Sequence, residues 1–150
     1  MELKSADVLK VRELEFPLDR FYYRGKKSHL WVKMRDGITE VGMDAFLVHS
    51  TGYLNYISIN TGEVKQGKGV GNFESAKFVS RIFSPINGKI IEVNQKALDN
   101  PRQINASPYT TWLFKIEPSN PQELEGDDFI SSSIELKEWI EADLIELDGE

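Results

Sequence analysis

The chain has 150 residues, of which 40% are hydrophobic, 28% charged and 11% aromatic, a composition that suits one soluble globular domain with its own core. It contains no cysteine and only two histidines, His29 and His49, which excludes disulfides, thiolate metal sites and a cysteine nucleophile and leaves too few ligands for a zinc or iron centre. The net charge of -6 is uneven: residues 1–116 hold 17 Lys and Arg against 12 Asp and Glu, about +5, and residues 117–150 hold one against twelve, about -11.

That acidic end reads as a solvated helix face and linker. Alternatively it docks on a basic partner, or on the body's own patch at Arg24, Lys26 and Lys27. The basic residues are neither dense nor interleaved with aromatics, so nucleic acid is not an expected partner. No apolar run approaches the ~20 residues that span a bilayer. The N-terminal stretch MELKSADVLKVRELEF carries acidic residues where a secretory signal is basic and then apolar. A cytoplasmic protein without membrane contact is expected.

In chain order, HLWVKMRDGITEVGM predicts a hairpin: an alternating run through Leu30, Val32 and Met34, the turn Asp36-Gly37, then Ile38 to Val41. MDAFLVHS predicts a short helix capped by Asp44, with Phe46 and Leu47 inward and Gly52 ending the turn beyond it. YLNYISI reads as a strand and NTGEVKQGKGVG as a turn region. The glycines at 67, 69 and 71 lack the strand, loop and helix context of a phosphate loop, and fit close backbone approach at a strand bend instead. FSPINGKIIEV carries a hairpin signal at Asn87-Gly88. NQKALDNPRQINASPY predicts one helical turn broken by Pro101 and Pro108, and TTWLFKI predicts the last strand. From Ser131, a stripe of Ile134, Trp139, Ile140, Leu144 and Ile145 predicts a capped helix that packs on the body through Trp139 and Ile140.

The segment GNFESAKFVSRI holds the one candidate for chemistry. If GVGNFESA and FVSRIFSP are strands, Ser75 to Phe78 connect them and Lys77 stands at or beside the apex. An apex presents an amine to a modifying enzyme without exposing a long unpaired edge. It also gives a flexible prosthetic group a rigid anchor. An exposed lysine with no cationic neighbour stays protonated near neutral pH, so it is no base or Schiff-base nucleophile. Its acylation requires a separate ligase with an activated acyl donor.

FESAKFVSRIFSPINGKIIEVN at 73–94, DNPRQINASPYTTWLFKIEPSN at 99–120 and HLWVK at 29–33 together resemble the glycine cleavage system H-protein family over about residues 22–120. The resemblance is specific in the Glu-Ser-x-Lys motif with its Ser-Pro-x-x-Gly turn, in Asn-Pro-x-x-Ile-Asn-x-x-Pro-Tyr and in Trp-Leu-x-Lys-Ile. It implies a mainly β fold, a flattened β-barrel of the lipoyl or barrel-sandwich type with short helices and a C-terminal helix. It implies lipoic acid in amide linkage on Lys77, within an attachment turn of Glu74, Ser75, Ala76 and Phe78. Glu74 would orient the loading enzyme or balance the Lys77 charge. Gly42, Gly52 and Gly88 would be turn glycines, and His29 a packing and hydrogen-bonding residue.

By the same resemblance the protein is a non-catalytic carrier whose dithiolane accepts an aminomethyl group from glycine decarboxylase and presents it to an aminomethyltransferase, a dihydrolipoamide dehydrogenase then reoxidising the dithiol. A lipoate ligase or lipoyl transferase would load it. The whole of 1–150 is expected as one monomeric carrier domain, with 121–150 as an acidic helical extension.

Two departures bear on partners. Gly52-Tyr53-Leu54 and SINTGEV stand where the family has an acidic residue and a proline, and the body is basic. An H-protein-like lipoate-binding protein of sulfur oxidation, serving heterodisulfide-reductase-like enzymes, is the alternative. A module of the same fold with an unmodified lysine is another. A biotin carrier would need Met-Lys-Met where Ala76-Lys77-Phe78 stands.

Overall fold

The structure is a computed structural model describing residues 7–149, so the first six residues of the N-terminal stretch and Glu150 lie outside the described part. The described chain begins with an antiparallel hairpin, β1 (Val8–Val11) and β2 (Leu14–Pro17), then β3 (Phe21–Tyr23). β4 (Leu30–Arg35) and β5 (Ile38–Met43) pair from Leu30↔Met43 to Arg35↔Ile38. Asp36 and Gly37 between them both have positive φ, as a tight Asp-Gly hairpin requires. α1 (Ala45–Thr51) begins where the Asp44 carboxylate accepts the Leu47 amide at 2.9 Å. It ends at Gly52, whose φ of 76° a side chain would resist.

β6 (Leu54–Ile59), β7 (Gly62–Val64), β8 (Gly69–Ser75), β9 (Val79–Phe83) and β10 (Gly88–Val93) follow. After them come α2 (Gln95–Asp99), α3 (Arg102–Ala106), β11 (Phe114–Pro118), β12 (Phe129–Ile130) and α4 (Ser133–Asp148). The strands form a seven-stranded sheet in the order β12-β3-β4-β5-β11-β10-β7 and a three-stranded sheet in the order β6-β8-β9. All their pairings are antiparallel. The mainly β fold with a C-terminal helix is as expected. The two sheets face each other as a flattened sandwich and are not joined into a closed barrel.

Alternation along the strands sorts side chains between two cores. Tyr23, Leu30, Val32, Val41 and Met43 turn toward the space between the sheets and meet Ile57, Phe73, Ile82 and Ile116 there. Tyr22 and Trp31 turn the other way, onto Phe16 of the N-terminal hairpin and Leu136, Ile140 and Leu144 of α4. The second core is therefore closed by the two ends of the chain.

Several expectations change. The segment 60–71 is more than a turn, because β7 adds an edge strand to the larger sheet. Asn87-Gly88 makes no hairpin: β9 and β10 belong to different sheets, and the chain crosses between them there. Asn87 fastens that crossing, its Oδ1 accepting the Gln66 amide at 2.9 Å and its Nδ2 donating to Glu123 at 3.1 Å. Tertiary partners override the local turn preference. The region 94–109 holds two helices, and the strand predicted from Thr110 starts only at Phe114, with β12 after it. On α4, Leu136 lies on the buried stripe with Ile140 and Leu144, whereas Ile134 and Ile145 are exposed. Gly42 and Gly88 sit in strands, where a Cβ would run into the Trp31 ring and the Glu117 carbonyl respectively. At Gly71 the backbone of β8 comes so close to β6 that a Cβ would overlap the Ser58 carbonyl, the close approach expected of that glycine run.

Candidate functional site

β8 and β9 pair as far as Glu74↔Val79, and the Ser75 amide donates to the Phe78 carbonyl at 2.9 Å. Ala76 and Lys77 thus form the tip. The Ser75 hydroxyl accepts the amides of both Lys77 and Phe78 at 3.2 Å, so one short side chain holds the turn. No residue of this turn has positive φ, and it needs no glycine. Ala76, Lys77 and Phe78 are exposed, with Phe78 and Val79 as apolar neighbours of the amine. Glu74 is half-buried, between Tyr56 and Val79 in register, and forms no ion pair with Lys77. The structure brings Glu74, Ser75, Ala76, Lys77 and Phe78 together as one turn.

Behind the tip, Phe78 borders a cleft of about 390 Å³ whose walls include Phe46, Trp139, Arg24, Lys27 and Glu146. At its base lies His29. β4 and β5 pair up to Leu30↔Met43, so the next pair beyond the ladder is His29 and Asp44. The Asp44 amide donates to the His29 carbonyl at 3.1 Å, and Asp44 Oδ2 lies 2.9 Å from His29 Nδ1 while Oδ1 caps α1. On the other side His29 Nε2 lies 2.6 Å from Asp143 of α4. The imidazole is stacked between Phe46 at 4.1 Å and Trp139 at 4.0 Å.

Burial alone would push the charge off His29, but Asp44 and Asp143 outweigh it and raise its pKa to about 9. With both nitrogens protonated, each donates to one carboxylate. The histidine therefore clasps α4 onto the body, the packing and hydrogen-bonding role expected of it. Asp44 was foreseen only as a helix cap and Asp143 not at all; no pattern in the sequence links positions 29 and 143. His49 sits exposed on the last turn of α1.

The segment that carries the family resemblance between 99 and 120 acts as a set of ties. Asn105 accepts the Leu54 amide at 3.0 Å and donates to the Gly52 carbonyl at 2.9 Å. The Trp31 indole donates to the Pro108 carbonyl at 2.9 Å, and the Tyr109 hydroxyl accepts the Ala45 amide at 2.9 Å. These bonds fix α1 and the start of β6 against the body. The acidic end does reach the Arg24 patch, yet through a main-chain group: Arg24 Nε and Nη2 donate to the Asp127 carbonyl at 3.0 and 2.7 Å. Among the described residues no cluster of His, Asp or Glu could hold a metal, and no helix is long and apolar enough to cross a membrane.

The model of the glycine cleavage H-protein family matches residues 21–140, beyond the expected span and well into α4. A glycine cleavage system H protein of Anaeromyxobacter sp. strain K is 39% identical over 75% of this chain and 88% of its own. One from Staphylococcus epidermidis is 35% identical over 69% of this chain and 84% of its own. Glycine cleavage system H protein 5 of Aquifex aeolicus is 35% identical over 77% and 82%. The crystal structure of a glycine cleavage system H protein from Mycobacterium marinum superposes with a TM-score of 0.69 at 29% identity, covering 79% of this chain and 94% of that one.

Proposed function

The chain belongs to the glycine cleavage H-protein family, and on that premise we propose that Lys77 is the residue that carries its lipoyl group. The observation that supports this most is the tip itself: an exposed lysine on a four-residue connection whose backbone is held by Ser75. A rigid, protruding mount suits an arm that visits several enzymes. When attached, lipoate supplies the dithiolane that takes up and gives away the aminomethyl group. The protein's own residues do the rest by binding and positioning.

Phe78 and the cleft behind it fit the arm. Phe46, Phe78 and Trp139 offer apolar walls to an aliphatic chain and dithiolane, and Glu146 places a carboxylate at the rim. Among the described residues Glu146 has no ion-pair partner, which leaves it open to an aminomethyl ammonium. Glu74, unpaired with Lys77, serves the loading enzyme in this reading. We read the chain as one non-catalytic carrier domain serving glycine decarboxylase, an aminomethyltransferase and dihydrolipoamide dehydrogenase. The names of the relatives favour this over the sulfur-oxidation and unmodified-module alternatives.

The test is the intact mass of wild type and Lys77→Ala produced with lipoate and a lipoate ligase. Wild type should gain one lipoyl amide and the variant none. A gain in both, or in neither, removes Lys77 from this role.

A further inference from the structure

Two exposed apolar side chains follow Lys77. Phe78 borders the cleft, whereas Val79 turns onto the outer face of the three-stranded sheet. There it stands opposite Glu74, and Glu74 opposite Tyr56. Residues directly opposite in a ladder share a face, so Tyr56, Glu74 and Val79 form one row across β6, β8 and β9. Phe73, the neighbour of Glu74, points into the core, which by alternation places this row outside.

Tyr56 is 53% and Val79 73% exposed, and Tyr53, just before β6, is 68% exposed. None of the three belongs to either core, so the fold itself makes no use of them. Tyr53 is nonetheless held in place: the Arg102 guanidinium lies 5.0 Å from its ring centre and donates to the Asn55 side chain at 3.5 Å. The next row along the sheet, Ser58, Asn72 and Arg81, is polar. An apolar, tyrosine-rich centre with a polar flank has the anatomy of a protein contact surface.

We propose that this face is where the enzyme that acylates Lys77 docks, with Tyr56 and Val79 as the contacts that bring the amine into its active site. The proposal rests on the reading of Lys77 above. In the acylation, the neutral amine nitrogen attacks the acyl carbon of lipoate activated as a mixed anhydride with phosphate. The C–N bond forms, the acyl C–O bond breaks with the phosphate as leaving group, and the nitrogen gives up a proton to water. Reacting atoms must come within ~3–3.5 Å of each other, so the loading enzyme has to close over Lys77 and the side chains beside it. Enzymes that act on the dithiolane meet it at the far end of the arm and need not touch this face. A stable dimer takes roughly 20–30 residues a side; this patch is far smaller, as suits a partner that departs after one acylation.

Docking is read apart from chemistry in Lys77→Ala, which leaves no amine to acylate at the tip. A lipoate ligase is titrated into the ¹⁵N-labelled full chain. The amides of Tyr53, Tyr56 and Val79 should shift or broaden saturably, and binding should weaken about tenfold or more when Tyr56→Thr and Val79→Thr are added. Ile91→Thr, which removes an exposed apolar side chain from β10, should bind as before. Acylation is then followed by intact mass with Lys77 in place. Tyr56→Thr with Val79→Thr should raise KM about tenfold or more and keep kcat within about twofold, at an unchanged urea midpoint. Once loaded to completion with excess ligase, the double variant should be reduced by dihydrolipoamide dehydrogenase as fast as wild type.

Loading of wild type with these amides unmoved by the ligase, or with KM unchanged in the double variant, overturns the proposal. So does an equal slowing of the dehydrogenase, which would make the face a general carrier surface. Saturable binding at this face with no lipoyl amide gained by wild type removes the Lys77 reading and leaves the docking face standing; with neither binding nor loading, both fall.

Discussion

The Lys77 tip, beside the cleft that Phe78 borders, and the His29 clasp at the base of that cleft are held by opposite means. The tip is local: Ser75 holds the amides two and three residues on, in full view of solvent. The clasp gathers residues 15 and 114 positions away from His29, buries the imidazole and stacks it between two rings. Exposed bonds between near neighbours are worth little, and buried charge-assisted ones a great deal if broken. The turn proposed to carry the arm is thus cheap to change, and the part that shapes the cleft is not.

That contrast can be tested from its strongest consequence down. His29→Ala leaves the Asp44 carboxylate buried beside an empty site, and should cost about 3–5 kcal/mol in urea unfolding while Lys77 still accepts lipoate. Retained stability would mean that α4 is held by Leu136, Ile140 and Leu144 alone. The pH dependence comes next. The His29 pKa of about 9 lies above its unfolded value, which is ~6.5. The clasp's stabilisation is therefore complete below pH ~6.5 and is lost as pH rises through about 9, up to about 3 kcal/mol in all. Unfolding curves across that window should show the loss, and Asp143→Asn should shrink it. A flat profile in wild type would contradict the charged clasp.

At the tip, Ser75→Ala removes the acceptor of two exposed amides and should cost about 1 kcal/mol, slowing ligation without unfolding the chain. Unchanged ligation rates would show that the ligase imposes the turn itself. Smallest of all, Lys77→Ala and Ile134→Ser should each leave stability within ~0.5 kcal/mol, because both side chains are exposed. A larger change at Ile134 would mean that the outer face of α4 is covered in solution.

Period and turn chemistry were readable where both partners of an interaction lie close in sequence. The β4–β5 hairpin with Asp36-Gly37, the Asp44 cap, the Gly52 stop and the Ser75–Phe78 connection are all of this kind. Asn87-Gly88 carried an equally strong local signal and misled, because Glu123 and Gln66 recruit the asparagine for a crossing between sheets. The stripe on α4 was half right for a related reason: periodicity says that one face is buried, and only the N-terminal hairpin beneath it says which.

The sequence alone determined the strand-rich architecture, the terminal helix and the exposed lysine, since backbone dihedrals, alternation and capping act over a few residues. Tertiary structure decided the rest: the pairing of β12 with β3, the union of His29 with Asp143, and the crossing at Asn87 between the two sheets. Those contacts depend on how far-apart segments fold past each other, and the spacing of residue types along a chain carries no record of that.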